Sequence, residues 1–393
     1  MKKGWEIRKL ADIIHDIKDG GTPSRKKPNY FGGDIFWCVV KDIKPQIFDT
    51  NEKLTEEGLK NCSAKVWPID SVIISLGATI GKIGIAKVPT ATKQGLAGIV
   101  PDTQVITPQF LAYGLLEQKE YIISLATGAT IKEVRPKRFA ETINIPVPPL
   151  AEQQRIVGIL DEAFAGLATA KAKAEQNLQN ARALFESHLQ SVLLSKKWKW
   201  KTLSDLCDKV EYGSSSKSKA KGEVPVLRMG NIQNGRLDWG NIVYTDDKAE
   251  IEKYLLKHND VLFNRTNSPE LVGKTAIYKS EMPAIFAGYL IRIHRKEELL
   301  DADFLTYFLN SQIAFDYGKT VVISSVNQAN INGTKLKSYP IPAPSLSEQK
   351  AIVAKLDNLT EETQRLAAIY ERKLAALEDL KRSLLHQAFN GEL

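Results

Sequence analysis

One signature occurs twice in this chain, about half its length apart. Ile145-Pro-Val-Pro-Pro-Leu150-Ala-Glu152-Gln153-Gln-Arg-Ile156-Val157-Gly-Ile-Leu160-Asp161 returns as Ile341-Pro-Ala-Pro-Ser-Leu346-Ser-Glu348-Gln349-Lys-Ala-Ile352-Val353-Ala-Lys-Leu356-Asp357. Glu152 and Glu348 stand 196 positions apart in a chain of 393 residues. A second pair lies upstream: Trp5-Glu-Ile-Arg-Lys-Leu10-Ala-Asp12-Ile13 matches Trp198-Lys-Trp-Lys-Thr-Leu203-Ser-Asp205-Leu206, at a spacing of 193. Solenoid repeats run to about 20–50 residues, so this period is not a solenoid. The order is module, helix, module, helix, the mark of a tandem duplication of a whole domain together with a helix. A single chain built this way can present two similar surfaces in two-fold-like positions, as a dimer does.

The helices are the most legible part. Pro146-Val-Pro-Pro149 stops the element before it, because proline lacks a backbone donor and biases its neighbour away from helix. A Pro-free stretch rich in Ala, Leu, Gln, Glu and Lys follows, broken only by Gly158 and Gly166. In the second copy Ser345-Leu-Ser-Glu348 has the S-x-x-E form of a capping box. In the first copy Pro149 takes that place, so a different cap is needed. The second helix alternates steps of 4 and 3 through Ile352, Leu356, Leu359, Thr363, Leu366, Tyr370, Lys373, Leu377, Leu380 and Leu384. The first runs through Ile156, Leu160, Ala163, Leu167, Ala170, Ala174, Leu178, Ala181, Phe185 and Val192. A sustained 3.5-residue period predicts a coiled coil. The two helices are expected to pair with each other, antiparallel so that the modules lie at opposite ends. Two separate amphipathic helices, each covering its own module, are the alternative. At about 1.5 Å per residue, residues 151–193 extend roughly 60 Å, far more than a small domain needs.

The modules, roughly residues 1–150 and 196–346, read as mixed α/β with many short strands and no ordered βαβ alternation. The fold class expected is α+β: two mixed α/β domains separated by two long antiparallel coiled-coil helices (151–195 and 347–393), with an internal pseudo-two-fold repeat. Hydrophobic content of 43% and charged content of 25% are ordinary for a soluble globular chain. The net charge of +8 favours polyanions, nucleic acid above all, although a mildly basic enzyme has the same balance. Cys38, Cys62 and Cys207 form no C-x-x-C and suggest neither zinc nor a disulfide framework. A reduced, cytoplasmic compartment is the expectation. The start, Met1-Lys-Lys-Gly-Trp-Glu, has no apolar core of a signal peptide, and no apolar stretch approaches a membrane span.

Two Gly-Lys turns invite comparison with a phosphate-binding loop. Gly77-Ala-Thr-Ile-Gly81-Lys82-Ile83 is one residue short between its glycines and lacks the Ser/Thr that holds magnesium. Ser268-Pro-Glu-Leu-Val-Gly273-Lys274-Thr275 has Ser in place of the first Gly, and Pro269 removes a donor where the cradle needs one. The turns recur at matching places, which fits a shared hairpin; its basic tip could touch a DNA phosphate or be merely structural. The five histidines show no metal-ligand spacing, and neither a G-x-S-x-G elbow nor an Asn-Pro-Pro-aromatic turn is present. No catalytic residue and no metal ligand is assigned.

What recurs instead is a set of polar, Gly-rich loops laced with basic residues. In the first module they carry Thr22, Ser24 and Arg25, then Lys82, then Lys93 and Gln94, then Thr130, Lys132 and Arg135. In the second they carry Ser215 and Lys217, then Arg228 and Asn231, then Asn264, Arg265, Asn267 and Lys274, then Asn327 and Gln328. Arg, Lys, Asn and Gln pair with base edges in the major groove, while Ser, Thr and Lys hold phosphates. Any one such loop is commonly plain surface; repetition at matching places in both modules gives the set its weight.

The duplicated architecture, the I-P-x-P-x-L-x-E-Q-x-x-I-V signature before each long helix and the W-x-x-x-x-L start of each module resemble the specificity subunit of type I restriction-modification enzymes. The resemblance covers essentially the whole chain. It implies two target-recognition domains, 1–150 and 196–346, each reading one half of a split, asymmetric site in double-stranded DNA. It implies that the helical regions form an antiparallel spacer and dock two methyltransferase subunits, which bind S-adenosylmethionine and methylate adenine. Restriction/translocase subunits that use ATP and Mg2+ would bind in addition. The subunit itself would be non-catalytic and hold no cofactor. Glu152, Gln153, Ile156, Leu160 and Leu167, with Glu348, Gln349, Ile352, Leu356, Leu359, Leu366, Tyr370 and Leu377, are the partner and coiled-coil residues so implied. The chain departs from the pattern at Ser345, where the first copy has Pro149, and at Lys373, a charge on the seam that would suit a partner contact. A coiled-coil scaffold joining two protein-binding modules is the competing reading.

Overall fold

The computed structural model describes residues 4–128, 133–194, 198–325 and 328–393, with the backbone alone described at 324–325. The chain divides into two compact units, residues 1–174 with 372–393 and residues 175–371. Each unit therefore holds one module, the beginning of one long helix and the end of the other.

The two signatures open two helices of 45 residues each, Leu150–Leu194 and Leu346–Asn390. The second starts in the capping box read from its sequence. Glu348 accepts from the Ser345 backbone N–H at 3.0 Å, and Ser345 Oγ accepts from the Glu348 N–H at 3.4 Å. The first makes do with the Pro149 carbonyl, which accepts from the Glu152 and Gln153 N–H groups at 2.9 and 3.1 Å. The second ends where Gly391 turns to φ +77° and the Glu392 N–H reaches back to the Gln387 carbonyl at 2.9 Å. Gly391 makes that left-handed turn at little cost.

In the first unit the module has a five-stranded sheet in the order Ile14–Asp19, Leu96–Pro101, Val72–Ser75, Ile83–Ala86, Gln46–Ile47. A four-stranded sheet lies beside it, in the order Lys53–Leu54, Phe31–Cys38, Thr90–Thr92, Val66–Trp67. In the second unit the matching sheet runs Cys207–Tyr212, Leu290–Arg295, Asp260–Asn264, Thr275–Tyr278. A three-stranded sheet of Val243–Thr245, Val224–Leu227 and Ile285–Phe286 lies beside that. The repeat holds at the level of register. The strand after each initial tryptophan pairs antiparallel with the Pro-rich strand before the helix, with Ile7 opposite Pro146 and Trp200 opposite Pro342. Both Gly-Lys turns close antiparallel hairpins, Val72–Ser75 with Ile83–Ala86 and Asp260–Asn264 with Thr275–Tyr278.

Each module core is closed by helix ends. In the first unit Ile156 and Leu160 from the start of the first long helix join Leu385, Ala388 and Phe389 from the end of the second. In the second unit Leu189 and Leu193 join Ile352 and Leu356. The helices are antiparallel within each unit. Lys171 pairs with Glu378 at 2.6 Å, and the Arg155 guanidinium reaches the Leu393 carbonyl at 2.7 Å; in the other unit Arg182 pairs with Glu371 at 2.9 Å. Leu167, Leu359, Leu366, Tyr370 and Leu377 lie half-buried along this seam, and Thr363 is buried with its hydroxyl donating to the Leu359 carbonyl at 2.8 Å.

The seam departs from the sequence reading after Tyr370. Lys373 is exposed, and the apolar Leu374 is half-buried in its place. Leu380 is 48% exposed, while Lys381 lies half-buried with its ammonium over the Phe164 ring. An α-helix drifts about 20° per heptad against a strict 3.5-residue repeat. Beyond Leu366 the contact line therefore takes two successive steps of four, Leu366 to Tyr370 to Leu374, before it rejoins the expected positions at Leu377 and Leu384. Lys373 is thus not a charge on the seam.

Phe389 anchors the end of the second helix in the first core. It is 5% exposed, its ring centre lies 4.7 Å from that of Phe110, and it fills the space above Gly114. Phe389→Ala should cost about 3–5 kcal/mol. Urea denaturation measures this; a loss under about 1 kcal/mol would show that the helix end is not part of that core.

Candidate nucleic-acid interface

In the first module the loops singled out from sequence converge. The Gly21 N–H donates to the Thr92 carbonyl at 2.9 Å, and the Asp19 carboxylate accepts from the Gly95 N–H at 2.9 Å. Leu76 N–H donates to the Gly95 carbonyl at 2.9 Å, and Val134 N–H to the Leu76 carbonyl at 2.8 Å. Four segments, around 20, 76, 94 and 134, are thereby laced into one face. The second module repeats the three main-chain bonds of this lacing. Ser214 N–H donates to Phe286 O at 2.8 Å, Arg265 N–H to Tyr289 O at 3.0 Å, and Ile331 N–H to Arg265 O at 2.9 Å. The approach requires glycine at one repeated position. A Cβ on Gly20 would lie 2.1 Å from the Thr92 carbonyl oxygen, and one on Gly213 would lie 2.3 Å from that of Phe286.

This equivalence sets Leu76 against Arg265. Leu76 is 2% exposed. Arg265 is half-buried, with its guanidinium 4.9 Å from the Tyr212 ring centre, one nitrogen donating to Gly288 O at 3.2 Å and another 3.4 Å from Asn330 Oδ1. Its Nε is buried and makes no hydrogen bond among the described residues. One module thus has an apolar side chain where the other has a five-donor fork. Leu76 packs into its module core, whereas Arg265 keeps its guanidinium among the loops.

The candidate residues divide by placement. Thr22, Ser24, Gln94, Ser215, Lys217 and Gln328 are exposed on or beside the laced loops, and Lys93 is half-buried there. Arg135 is exposed at the start of the helix Pro136–Thr142. Lys82 is exposed, its ammonium 3.4 Å from the Val40 carbonyl, and Arg228 is exposed with a hydrogen bond of 2.8 Å to Asn241 O. Arg25 is exposed but already matched: it holds Glu52 at 3.0 Å and lies over the Phe31 ring at 4.6 Å. That bond holds the Glu52 carboxyl below its usual range. Asn267 is half-buried, accepting from the Ser268 N–H at 2.9 Å. Thr130, Lys132 and Asn327 lie outside the described residues.

Two candidates, Asn231 and Asn264, are corrected by burial. Asn231 is 3% exposed; its amide caps a turn, accepting from Arg228 N–H and donating to Asp238 O and Gly240 O, each at 2.9 Å. Asp42 does the same work in the first module, accepting from Val39 N–H at 2.9 Å and Asn51 N–H at 3.2 Å. Asn264 is fully buried, with neither amide atom bonded among the described residues. Lys274 is half-buried and lines a cleft of about 970 Å³ with Arg236, Tyr307 and Asp357, while its backbone carbonyl accepts from the Asn264 N–H at 2.8 Å. Conversely, Tyr289 is 49% exposed on the laced face, and nothing in its own segment marks it. Aligning Thr92-Lys93-Gln94-Gly95-Leu96 with Phe286-Ala287-Gly288-Tyr289-Leu290 finds it.

The signature glutamines face inward. Gln153 is fully buried; its Oε1 accepts from Thr107 N–H at 2.9 Å and its Nε2 donates to Val105 O and Pro148 O at 2.8 and 2.9 Å. Gln349 is fully buried on the same three partners, Asp301 N–H, Leu299 O and Pro344 O, at 2.8, 2.8 and 3.0 Å. Glu152 pairs along its helix with Arg155 at 2.7 Å, and Glu348 serves the capping box.

Two copies of one loop-bearing module, each anchored on long helices and presenting its variable side chains on one laced face, define a duplicated recognition protein. The family model of the type I restriction modification DNA specificity domain matches the chain twice, over residues 2–179 and 195–372. The chain belongs to that family, whose members are the non-catalytic DNA-recognition components of type I restriction-modification enzymes. It is 27% identical to the EcoKI specificity subunit of Escherichia coli K12 over 419 residues, covering all of this chain and 90% of that one. It is also 27% identical to the StySPI specificity subunit of Salmonella potsdam, with the same coverage. The fold matches a chain from a structural study of assembly and conformational transition of the type I R-M system, with a TM-score of 0.80, 20% identity, and 100% and 99% of the two chains covered. It also matches the HsdS subunit from Thermoanaerobacter tengcongensis, with a TM-score of 0.58, 20% identity, and 100% and 98% covered. No helix among the described residues is long and apolar enough to cross a membrane.

Asn231→Ala should lose about 1–3 kcal/mol, because buried turn groups lose their partners. Gln94→Ala, on the exposed face, should stay within about 0.5 kcal/mol of the native chain and weaken DNA binding. Paired urea denaturation and DNA titration separate the two; equal stability loss in both would erase the distinction between frame and face.

Proposed function

We propose that each laced face reads one half of a split, asymmetric site in double-stranded DNA, and that the long helices set the gap between the halves. The observation that carries this reading is the repetition of the main-chain lacing of the loops in two modules with different side chains on it. A framework kept while its outward residues diverge suits two half-sites of different sequence. The partners in this reading are two methyltransferase subunits docked on the helical regions, with S-adenosylmethionine bound on them, and restriction/translocase subunits using ATP and Mg2+. The exposed basic residues Lys82, Lys217 and Arg228 would hold phosphates, so binding by the free chain should weaken steeply with salt. A protein-binding scaffold would show no such salt dependence on duplex DNA.

The test is methylation profiling of host DNA with and without the gene, which should return one split motif. Inserting four residues after Ala174 adds about 6 Å of helix, and a stutter can absorb four residues. The half-sites should stay unchanged while the gap grows by roughly one or two base pairs, at about 3.4 Å each. An active insertion variant that methylates the original spacing would show that the helices are not the ruler.

A further inference from the structure

Each module joins its long helix through a very short link. Strand Asn144–Val147 is followed by the helix at Leu150, and strand Pro340–Pro342 by the helix at Leu346. A link alone is a pivot. Beyond the apolar packing of each helix start into its module core (Ile156 and Leu160, or Ile352 and Leu356), the structure adds two polar points of attachment, built twice. The first is the buried glutamine, which ties the first helical turn both to the link (Pro148 O or Pro344 O) and to the loop ahead of the helices Pro108–Glu117 and Ala302–Leu309. The second is a phenol–carboxylate bond. Tyr113 donates to Asp161, and Tyr307 donates to Asp357 at 2.5 Å. Burial first, then the carboxylate, pushes the Tyr307 phenol up to about 12, so it stays a donor at neutral pH. Asp161 follows Gln153 by eight positions, as Asp357 follows Gln349, which is about 12 Å along a helix. One bonded point permits rotation; two points that far apart define an angle.

We propose that Gln153 with Tyr113, and Gln349 with Tyr307, are positioning residues that lock each recognition module at one angle on its helix and so restrict the protein to a single gap between half-sites. This rests on the DNA-reading function proposed above. A swing of the loop face by one base-pair step, about 3.4 Å, would let a module meet its half-site at a neighbouring gap. The glutamine resists that swing because it is fully buried, where rotation would strand an N–H and two carbonyls. The loops that carry sequence preference differ between the modules, whereas these two attachments do not, as expected of groups that set geometry and leave base identity alone.

The test uses the full chain assembled with its methyltransferase partners on a DNA library with constant half-sites and gaps of varied length. The variants are Gln153→Met, Gln349→Met and the milder Tyr113→Phe and Tyr307→Phe, which remove one half-exposed hydroxyl each and leave the core filled. The expected result is an unchanged half-site preference, with methylation at gaps one base pair shorter or longer rising at least ten-fold relative to the native gap. The double variant Gln153→Met with Tyr113→Phe should be looser than either single. Native gap selectivity in the folded Tyr→Phe variants overturns the proposal. So does a uniform fall at every gap, the signature of lost stability alone, or a changed half-site. Failure of the underlying reading looks different: the native protein itself would then return no split motif.

Discussion

The burial of helix ends inside module cores is the interaction on which the rest of this protein depends. Ile156, Leu160, Leu385, Ala388 and Phe389 belong to the first core, and Leu189, Leu193, Ile352 and Leu356 to the second. Each large apolar side chain so buried contributes roughly 1.5–3 kcal/mol. The exposed Lys171–Glu378 and Arg182–Glu371 pairs each add at most about 1 kcal/mol. Packing, not ion pairing, therefore holds the helices to the modules. Because each core takes the start of one helix and the end of the other, neither helix can leave without opening a core.

From that anchoring the site follows. A module held by its base can keep four loops at its face, and main-chain bonds common to both modules tie those loops together. The lacing from Gly21, Leu76 and Val134 in one module, and from Ser214, Arg265 and Ile331 in the other, uses only main-chain groups and so tolerates any outward side chain. Leu76 and Arg265 occupy one backbone position with opposite chemistry. Such a frame lets the readout change without a change of fold, and loops positioned by a rigid scaffold are where binding is concentrated.

Much of this is legible in the sequence, for identifiable reasons. The long helices follow from a Pro-free, Leu- and Ala-rich periodic pattern, and the Ser345 capping box from the S-x-x-E spacing, because both are local. The hairpins at Gly81 and Gly273 follow from repeated Gly-Lys turns. A strict 3.5-residue count misplaces the seam beyond Tyr370, choosing Lys373 over its neighbour Leu374, because it ignores helix drift. Asn231 and Asn264 read as contacts because an asparagine beside a polar loop looks the same whether it faces water, caps a turn from within as Asn231 does, or is buried at a strand end as Asn264 is. Tyr289 escapes a segment-by-segment reading because its meaning lies in its neighbour across the lacing, not in its own segment.

Sequence alone determined the duplication, the order of module and helix, the helical period, and the family to which the chain belongs. These depend on residue identity at fixed spacing along one strand of chain. Tertiary structure alone decided that Gln153 and Gln349, conspicuous in the signature as candidates for a partner, turn inward and clamp their own modules. It also decided which four loops form one face, and that Asn231 and Asn264 lie buried behind it. Those outcomes rest on hydrogen bonds between segments tens of residues apart, and no local pattern encodes which buried carbonyl lies within about 3 Å of which amide.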